Sequence, residues 1–121
     1  TLKIVKRMTE ERGGNCLYNN NVDLLASFED RRLLVEAKSL NLPSSAVDRM
    51  RYGMGQLFDY GIRYRAEIGR AQPVLAFGTI PPNDAGWIST ILQETGVAFV
   101  ARQRDSLLPM NDSARDLPIF S

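Results

Sequence analysis

The 121-residue sequence contains no histidine and only one cysteine, Cys16. A single cysteine excludes an intramolecular disulfide, which agrees with a reducing, cytoplasmic location. Together, these two shortages exclude zinc-finger ligation and a catalytic triad that depends on histidine. No apolar run approaches the roughly 20 residues of a membrane span and no signal peptide is visible, so we expect no membrane partner.

Neither sign of charge is in excess, because 15 Lys and Arg residues stand against 14 Asp and Glu residues, a net charge of +1. Any nucleic-acid partner would therefore have to bind a local basic patch. The length corresponds to one domain that buries roughly two-thirds of its unfolded surface. The chain opens on Thr1 rather than Met, which suggests a domain cut from, or processed out of, a longer protein.

Two short runs rich in Val, Leu and Phe, residues 22–28 and 32–38, predict a β-hairpin. Side chains alternate between the two faces of a strand. If the loop holds two or four residues, Asp23 lies directly opposite Glu36, and Lys38 lies one pleat further along the same face.

This register places two like charges together in a half-buried sheet, which is destabilising unless something offsets the repulsion. A divalent cation would do so, since Mg²⁺ is usually held by one or two carboxylates together with waters and substrate phosphates. A lysine at the rim of such a site orients or deprotonates a water molecule, or holds a phosphate. The alternative is a surface hairpin whose Glu36 and Lys38 face solvent.

The rest of the chain alternates between helical and strand patterns. Ser44 or Ser45 is the expected N-cap of a long helix, and Asn83 is the expected N-cap of a later helix that has Trp87 on its apolar side and Gly96 after its end. A strand, a helix and a strand with short joins imply parallel pairing. The predicted elements are a helix over 1–12, a strand near 16–19, the hairpin, a helix over 45–68, a buried strand over 73–79, a helix over 83–95 and a strand over 97–101.

The long helix carries a second stripe beside its core stripe, about 100° round the axis. Polar and aromatic side chains in this stripe can reach the rim of the sheet, and arginine is well suited to phosphate contact, although a mixed solvated face is an equally good interpretation. Glycines at 53, 55 and 61 suggest close packing on the sheet or against a substrate. The members of the stripe are Arg49, Tyr52, Gln56, Tyr60 and Arg63.

Asp23 followed by Glu36-Ala37-Lys38 resembles the D…ExK signature of the PD-(D/E)XK nuclease superfamily, with Val22 where that family usually has Pro. Residues 55–60, GQLFDY, resemble the GQLxxY helix that follows the ExK strand in several of its branches.

The order of elements is similar to the αβββαβ core of that superfamily. The resemblance covers roughly residues 1–102 and implies an α/β, restriction-endonuclease-like fold with a mixed central sheet flanked by helices. Residues 103–121 are left as a tail, an edge strand or a linker to another domain.

The resemblance implies that Asp23, Glu36 and the Ala37 carbonyl bind Mg²⁺, with Mn²⁺ as a substitute. It also implies that Lys38 assists the attacking water and that Gln56 braces the lysine or the water. Tyr60, with Tyr52, Arg49 and Arg63, would then hold the backbone phosphates of DNA. Some members place a further metal-linked glutamate on the first helix, so Glu10 or Glu11 is a candidate alongside the simpler interpretation of a solvated face.

The expected function is metal-dependent hydrolysis of DNA phosphodiester bonds, by an endonuclease or by the catalytic domain of a larger restriction, repair or defence protein. A homodimer is expected if both strands of a duplex are cut. Two alternatives remain open: a non-catalytic nucleic-acid-binding or interaction module on the same fold, and a small α/β oligomerisation or sensor domain whose hairpin charges are merely exposed.

Overall fold

The structure is a computed structural model that describes residues 1–18, 23–39 and 45–121. The last residue of the strand predicted near 16–19, Val22 of the predicted hairpin and the candidate cap Ser44 lie outside the described residues. The elements are α1 (Leu2–Glu11), β1 (Asn15–Leu17), β2 (Leu24–Ser27), β3 (Arg32–Lys38), α2 (Ala46–Arg63), α3 (Arg65–Ile68), β4 (Gln72–Phe77), α4 (Pro82–Glu94), β5 (Ala98–Gln103), β6 (Ser106–Pro109), α5 (Asp112–Arg115) and a 3₁₀ turn (Pro118–Phe120).

The strands form one mixed sheet in the order β1-β2-β3-β4-β5-β6. β1, β2 and β3 make an antiparallel meander, β3, β4 and β5 run parallel, and β6 pairs antiparallel with β5 at the edge. The parallel pairs follow from the helical crossovers α2 and α4. This confirms the predicted α/β class, with the order helix, three-stranded meander, helix, strand, helix and strand of the restriction-endonuclease-like architecture.

Helices cover both faces of the sheet, and alternation along β3 divides its side chains between them. Leu33 and Val35 pack with α1 and the C-terminal segment, residues 106–121, whereas Leu34 packs with α2 and α4. Side chains two residues apart share a face, so Glu36 and Lys38 lie on the α2 side, next to Leu34. The alternation of hydrophobic residues along β3 therefore determines that α2 covers its polar end, Glu36 and Lys38.

Helix α2 begins as expected, because the Ser45 side chain accepts a hydrogen bond from the backbone N–H of Asp48 at 3.1 Å. The prediction of one helix as far as Ile68 is wrong. Tyr64 leaves the helical conformation at φ −105° and ψ 16°, which ends α2 at Arg63, and the short α3 follows. In the part of the chain that the structure describes, no helix combines the length and the apolar character needed to cross a membrane.

Helix α4 differs from the prediction at its start. Pro81 rather than Asn83 occupies the N-cap, and Pro82 opens the helix, where no backbone N–H is needed. Trp87 is 60% exposed rather than packed, while Ile88 is fully buried. The end agrees with the prediction, since Gly96 follows the C-cap with a φ of 75° that favours glycine.

The C-terminal segment adds an edge strand and then folds back, with Leu117 and Ile119 in the core on the α1 side. Asn111 is its anchor, and it is only 3% exposed. Its Oδ1 accepts hydrogen bonds from the backbone N–H groups of Phe99 and Ala114, both at 3.0 Å, and its Nδ2 donates to the Val97 carbonyl at 2.9 Å.

Replacing Asn111 with alanine is expected to lower the free energy of unfolding by about 2–4 kcal/mol, because the buried Phe99 N–H and Val97 carbonyl both lose the hydrogen bond with its side chain. The Ala114 N–H keeps its second bond, to the backbone carbonyl of residue 111 at 3.1 Å. Urea titration of wild type and variant measures the difference. Gln93→Ala is the control, because the Gln93 side chain accepts a hydrogen bond from the Ser113 N–H of α5, the helix that Asn111 caps. Gln93 is exposed, so its replacement should lower the free energy of unfolding by about 0.5 kcal/mol or less. Equal losses in the two variants would contradict this account.

Candidate active site

The hairpin of β2 and β3 has the register that the sequence predicts. Leu24 pairs with Val35 and Ser27 with Arg32, so four residues form the loop between the strands. The same register continued by one residue places Asp23, which directly precedes β2, opposite Glu36. Two acidic side chains therefore meet at the carboxyl end of β3, on the face covered by α2.

A backbone hydrogen bond fixes the position of Asp23. Its Oδ2 accepts from the backbone N–H of Ala37 at 2.9 Å. Because the N–H and C=O groups of one strand residue point to the same neighbour, the Ala37 carbonyl also faces the side of β3 on which Asp23 lies. This bond was not predicted from the sequence, and it gathers the three groups that the resemblance assigns to a metal.

Glu36 is almost completely buried, with 4% of the residue exposed. Burial and then the charge of Asp23 raise the pKa of Glu36 above its ordinary value, while the contact with Lys38 opposes the rise. A carboxyl group with a raised pKa in the folded state costs stability as pH rises above the ordinary glutamate range. The protein therefore maintains a charge arrangement that weakens its own fold at neutral pH.

Lys38 is the centre of the contacts on this face. Its Nζ lies 3.2 Å from Glu36 Oε1, and only 10% of its side chain is exposed. The same Nζ donates a hydrogen bond to Gln56 Oε1, and it lies 4.7 Å from the centroid of the Tyr52 ring. Glu36 and two residues of α2 thus hold the ammonium group in one place.

Gly53 allows α2 to approach the sheet closely enough for these contacts. A Cβ atom at this position would lie 2.5 Å from Leu75 Cδ1 and 3.4 Å from Lys38 Cε. Leu75 is fully buried in a close-packed core, so its methyl group can shift only if its neighbours repack. A Cβ atom at Gly55, two residues further on, would have no other heavy atom within 4 Å among the described residues.

These two glycines predict substitutions of opposite effect. Gly53→Ala is expected to destabilise the protein by about 1–3 kcal/mol through overpacking, and to displace Lys38. Gly55→Ala is the matched control and is expected to stabilise it by roughly 0.5–1 kcal/mol, because alanine is the better helix former. Thermal melting of both variants tests the pair. A stabilising Gly53→Ala would show that α2 does not need the close approach.

The stripe predicted on α2 divides into a near part, beside Lys38, and a far part, further along the helix. Tyr52 and Gln56 contact Lys38, and Arg49 lies one turn before Tyr52 on the same side of the helix. The half-buried Arg49 has no hydrogen-bond partner for its Nε among the residues that the structure describes.

Tyr60 and Arg63 form the far part. The Tyr60 ring is partly buried and lies 6.3 Å from that of Tyr64. Arg63 is exposed, pairs with Asp59 at 2.9 Å and lies seven residues, about 10 Å, along the axis from Gln56. Arg63 is therefore about two helical turns beyond the glutamine that contacts Lys38, whereas the Tyr60 ring packs beside Tyr64.

The acids of the first helix also lie away from the site. Glu10 and Glu11 are exposed and face Lys6 and Arg7 at 3.9 and 3.3 Å. The opposite end of α1, at Thr1, is the one that adjoins Lys38. Nine residues of helix, about 14 Å, separate Thr1 from Glu10, which agrees with a solvated face.

The donor set at this end of β3 fits a hard divalent cation. Within residues 1–18, 23–39 and 45–121, no group of three or more His, Cys, Asp or Glu side chains gathers, so Asp23 and Glu36 stand as a pair. Two carboxylates and one backbone carbonyl are oxygen ligands of the kind that Mg²⁺ and Mn²⁺ take, with waters and phosphate oxygens completing the shell. A bound cation would also relieve the repulsion that raises the pKa of Glu36.

Fold and site together define a class of protein, an α/β domain of restriction-endonuclease-like architecture with a carboxylate pair and a lysine at the end of β3. Among solved structures, an XisH family protein from Nostoc punctiforme has the same fold, with a TM-score of 0.60 and 19% identity over 88% of this chain and 94% of that chain. An fdxN element excision controlling factor from Anabaena variabilis gives the same values. No protein-family model and no curated protein matches the sequence.

Proposed function

We propose that this chain is a Mg²⁺-dependent nuclease of the PD-(D/E)XK type that hydrolyses phosphodiester bonds of DNA. The observation that carries the proposal is the set of contacts around Lys38. This lysine contacts both the buried Glu36 and Gln56 of α2, and Asp23 lies beside Glu36. A purely structural hairpin gains nothing from two adjacent carboxylates at a half-buried position. One structural neighbour is described as controlling excision of the fdxN element, which agrees with DNA as the substrate class.

Each residue of the site has a role in this chemistry. Asp23, Glu36 and the Ala37 carbonyl would hold Mg²⁺, and Mn²⁺ would serve in its place. When bound, the cation supplies positive charge that stabilises the charge developing on the phosphate oxygens. Lys38 orients the attacking water and hydrogen-bonds to a phosphate oxygen, and Gln56 keeps the ammonium group in position.

Phosphate binding is assigned to the near part of the α2 stripe. Arg49 has no hydrogen-bond partner for its Nε within residues 1–18, 23–39 and 45–121, and it extends from the same side of α2 as Gln56. Its guanidinium binds phosphate oxygens of the strand without reading base sequence. Arg63 already pairs with Asp59 and is too far along the helix to act on the same phosphate.

The test is cleavage of supercoiled plasmid and of a labelled single strand by the purified chain with Mg²⁺, Mn²⁺ or EDTA, in wild type and Glu36→Gln. Cleavage that needs the divalent ion and disappears in the folded variant is the expected result. Glu94→Gln, which changes an exposed acid at the end of α4, is the control and should cut like wild type.

Two results would oppose the proposal. Equal cutting by wild type and Glu36→Gln would assign the activity to a contaminant or another site. DNA retarded in a gel but never cut, with any of the ions, would instead support the non-catalytic binding module.

A further inference from the structure

The Tyr52 ring is the most exposed group at the candidate site. The residue is 65% exposed, whereas the side chains of Lys38 and Glu36 are 10% and 5% exposed. The Lys38 ammonium group lies over the ring, 4.7 Å from its centroid. One face of the ring is therefore used by the lysine, while most of the surface of the residue is open to solvent.

We propose that Tyr52 is the stacking platform for an unpaired nucleobase beside the scissile phosphate. The substrate would then be single-stranded DNA, or DNA with an unpaired nucleotide at the cut. This inference rests on the proposed nuclease function. A phosphate held by the Lys38 ammonium group lies next to the Tyr52 ring, so the base of an adjoining nucleotide is within reach of the ring.

The requirement for an unpaired base follows from what the ring can touch. Inside a continuous duplex, neighbouring bases cover both faces of each base, so a side chain can stack only on a base that has left the helix or was never paired. Extruding a paired base costs free energy that a single strand does not pay. Every base has a π-face, so this contact selects an unpaired nucleotide without selecting its sequence.

The surroundings of Tyr52 on α2 suit a single strand passing along the helix. Arg49 lies one turn before it and Gln56 one turn after it, so cation, ring and amide occupy one side of the helix. A cationic side chain next to an aromatic one is the usual combination in proteins that bind single strands, where it contacts the backbone while the ring holds the base.

The test separates stacking on a base from mere support of Lys38. Binding of a short fluorescent single strand is measured in EDTA, where no metal-dependent cutting occurs, with one abasic residue moved from position to position. For wild type, an abasic residue at one position is expected to weaken binding roughly 5- to 100-fold. Tyr52→Leu is expected to bind the intact strand more weakly by a similar factor and to be insensitive to the abasic residue, whereas Tyr52→Phe behaves like wild type.

Phe58→Leu is the matched control, because Phe58 is another exposed aromatic on α2 but lines a groove with Leu34 and Ile62 instead. It should keep the wild-type response to the abasic residue. The inference is overturned if Tyr52→Leu remains as sensitive as wild type, or if wild type binds continuous duplex as tightly as single strand.

The outcomes also separate this inference from the function on which it rests. Cutting that needs Mg²⁺ and Glu36 but is the same in Tyr52→Leu would overturn the stacking platform alone. A chain that neither binds nor cuts any of the DNA substrates would overturn both.

Discussion

Lys38→Ala is expected to reduce the rate of Mg²⁺-dependent cleavage by about 10²- to 10⁴-fold, the usual effect of removing a group that moves or positions a proton. The lysine lies 3.2 Å from Glu36 and is bonded to Gln56, so it has a single defined position. Its removal also takes away the positive charge that opposes the rise in the pKa of Glu36, so the variant should need a higher pH to bind Mg²⁺.

Cleavage rates across a series of Mg²⁺ concentrations and pH values measure both effects. Lys6→Ala, which removes an exposed lysine from α1, is the control and should not change the rate. Lys38→Arg keeps the charge but not the shape, and should restore Mg²⁺ binding better than it restores the rate. A folded Lys38→Ala protein that retains more than a tenth of the rate would show that another group positions the water.

The sequence was sufficient to predict the features of this site that depend on local periodicity. Alternation along the two strands and an even loop predicted that Asp23 would oppose Glu36, and the pairing of Leu24 with Val35 confirms that register. Helical spacing put Tyr52 and Gln56 on one side of α2. Both inferences use only the geometry of single elements.

Features that depend on how two elements meet were beyond the sequence. The bond from Ala37 N–H to Asp23 forms where β2 begins at Leu24, one residue after Asp23, and no local pattern signals that. The helical spacing that predicts Gln56 beside the hairpin also predicts Arg63 on the same side of α2. Spacing alone does not indicate how far along the helix its contact with the sheet extends. Periodicity alone predicts Trp87 on the apolar side of α4, whereas the residue is mostly exposed.

Asp23→Asn is expected to make the metal-free protein more stable while it abolishes the response to Mg²⁺. The amide oxygen can still accept from the Ala37 N–H, so the backbone contact remains. The like charge beside Glu36 disappears, which should raise the free energy of unfolding by about 0.2–1 kcal/mol at neutral pH. In EDTA the variant should therefore melt at a higher temperature than wild type.

The pH dependence of this gain follows from the raised pKa of Glu36. In wild type the folded state keeps the Glu36 proton longer than the unfolded state, so stability falls as pH rises from the ordinary glutamate range to the raised pKa. Without Asp23 the pKa is raised less and the fall is smaller. The difference between the two proteins should therefore be near zero in acid, grow through that window and stay constant above it.

Adding Mg²⁺ should reverse the order of the two melting temperatures, because a ligand stabilises only the protein whose folded state binds it. Wild type gains stability with Mg²⁺ concentration, and Asp23→Asn gains little. Glu29→Gln, an exposed acid in the hairpin loop, is the control and should follow wild type at every pH and ion concentration. A variant less stable than wild type in EDTA at neutral pH would show that the two carboxylates do not repel. The predicted reversal would instead show that Asp23 lowers stability without metal and is retained for binding it, as expected of a functional site.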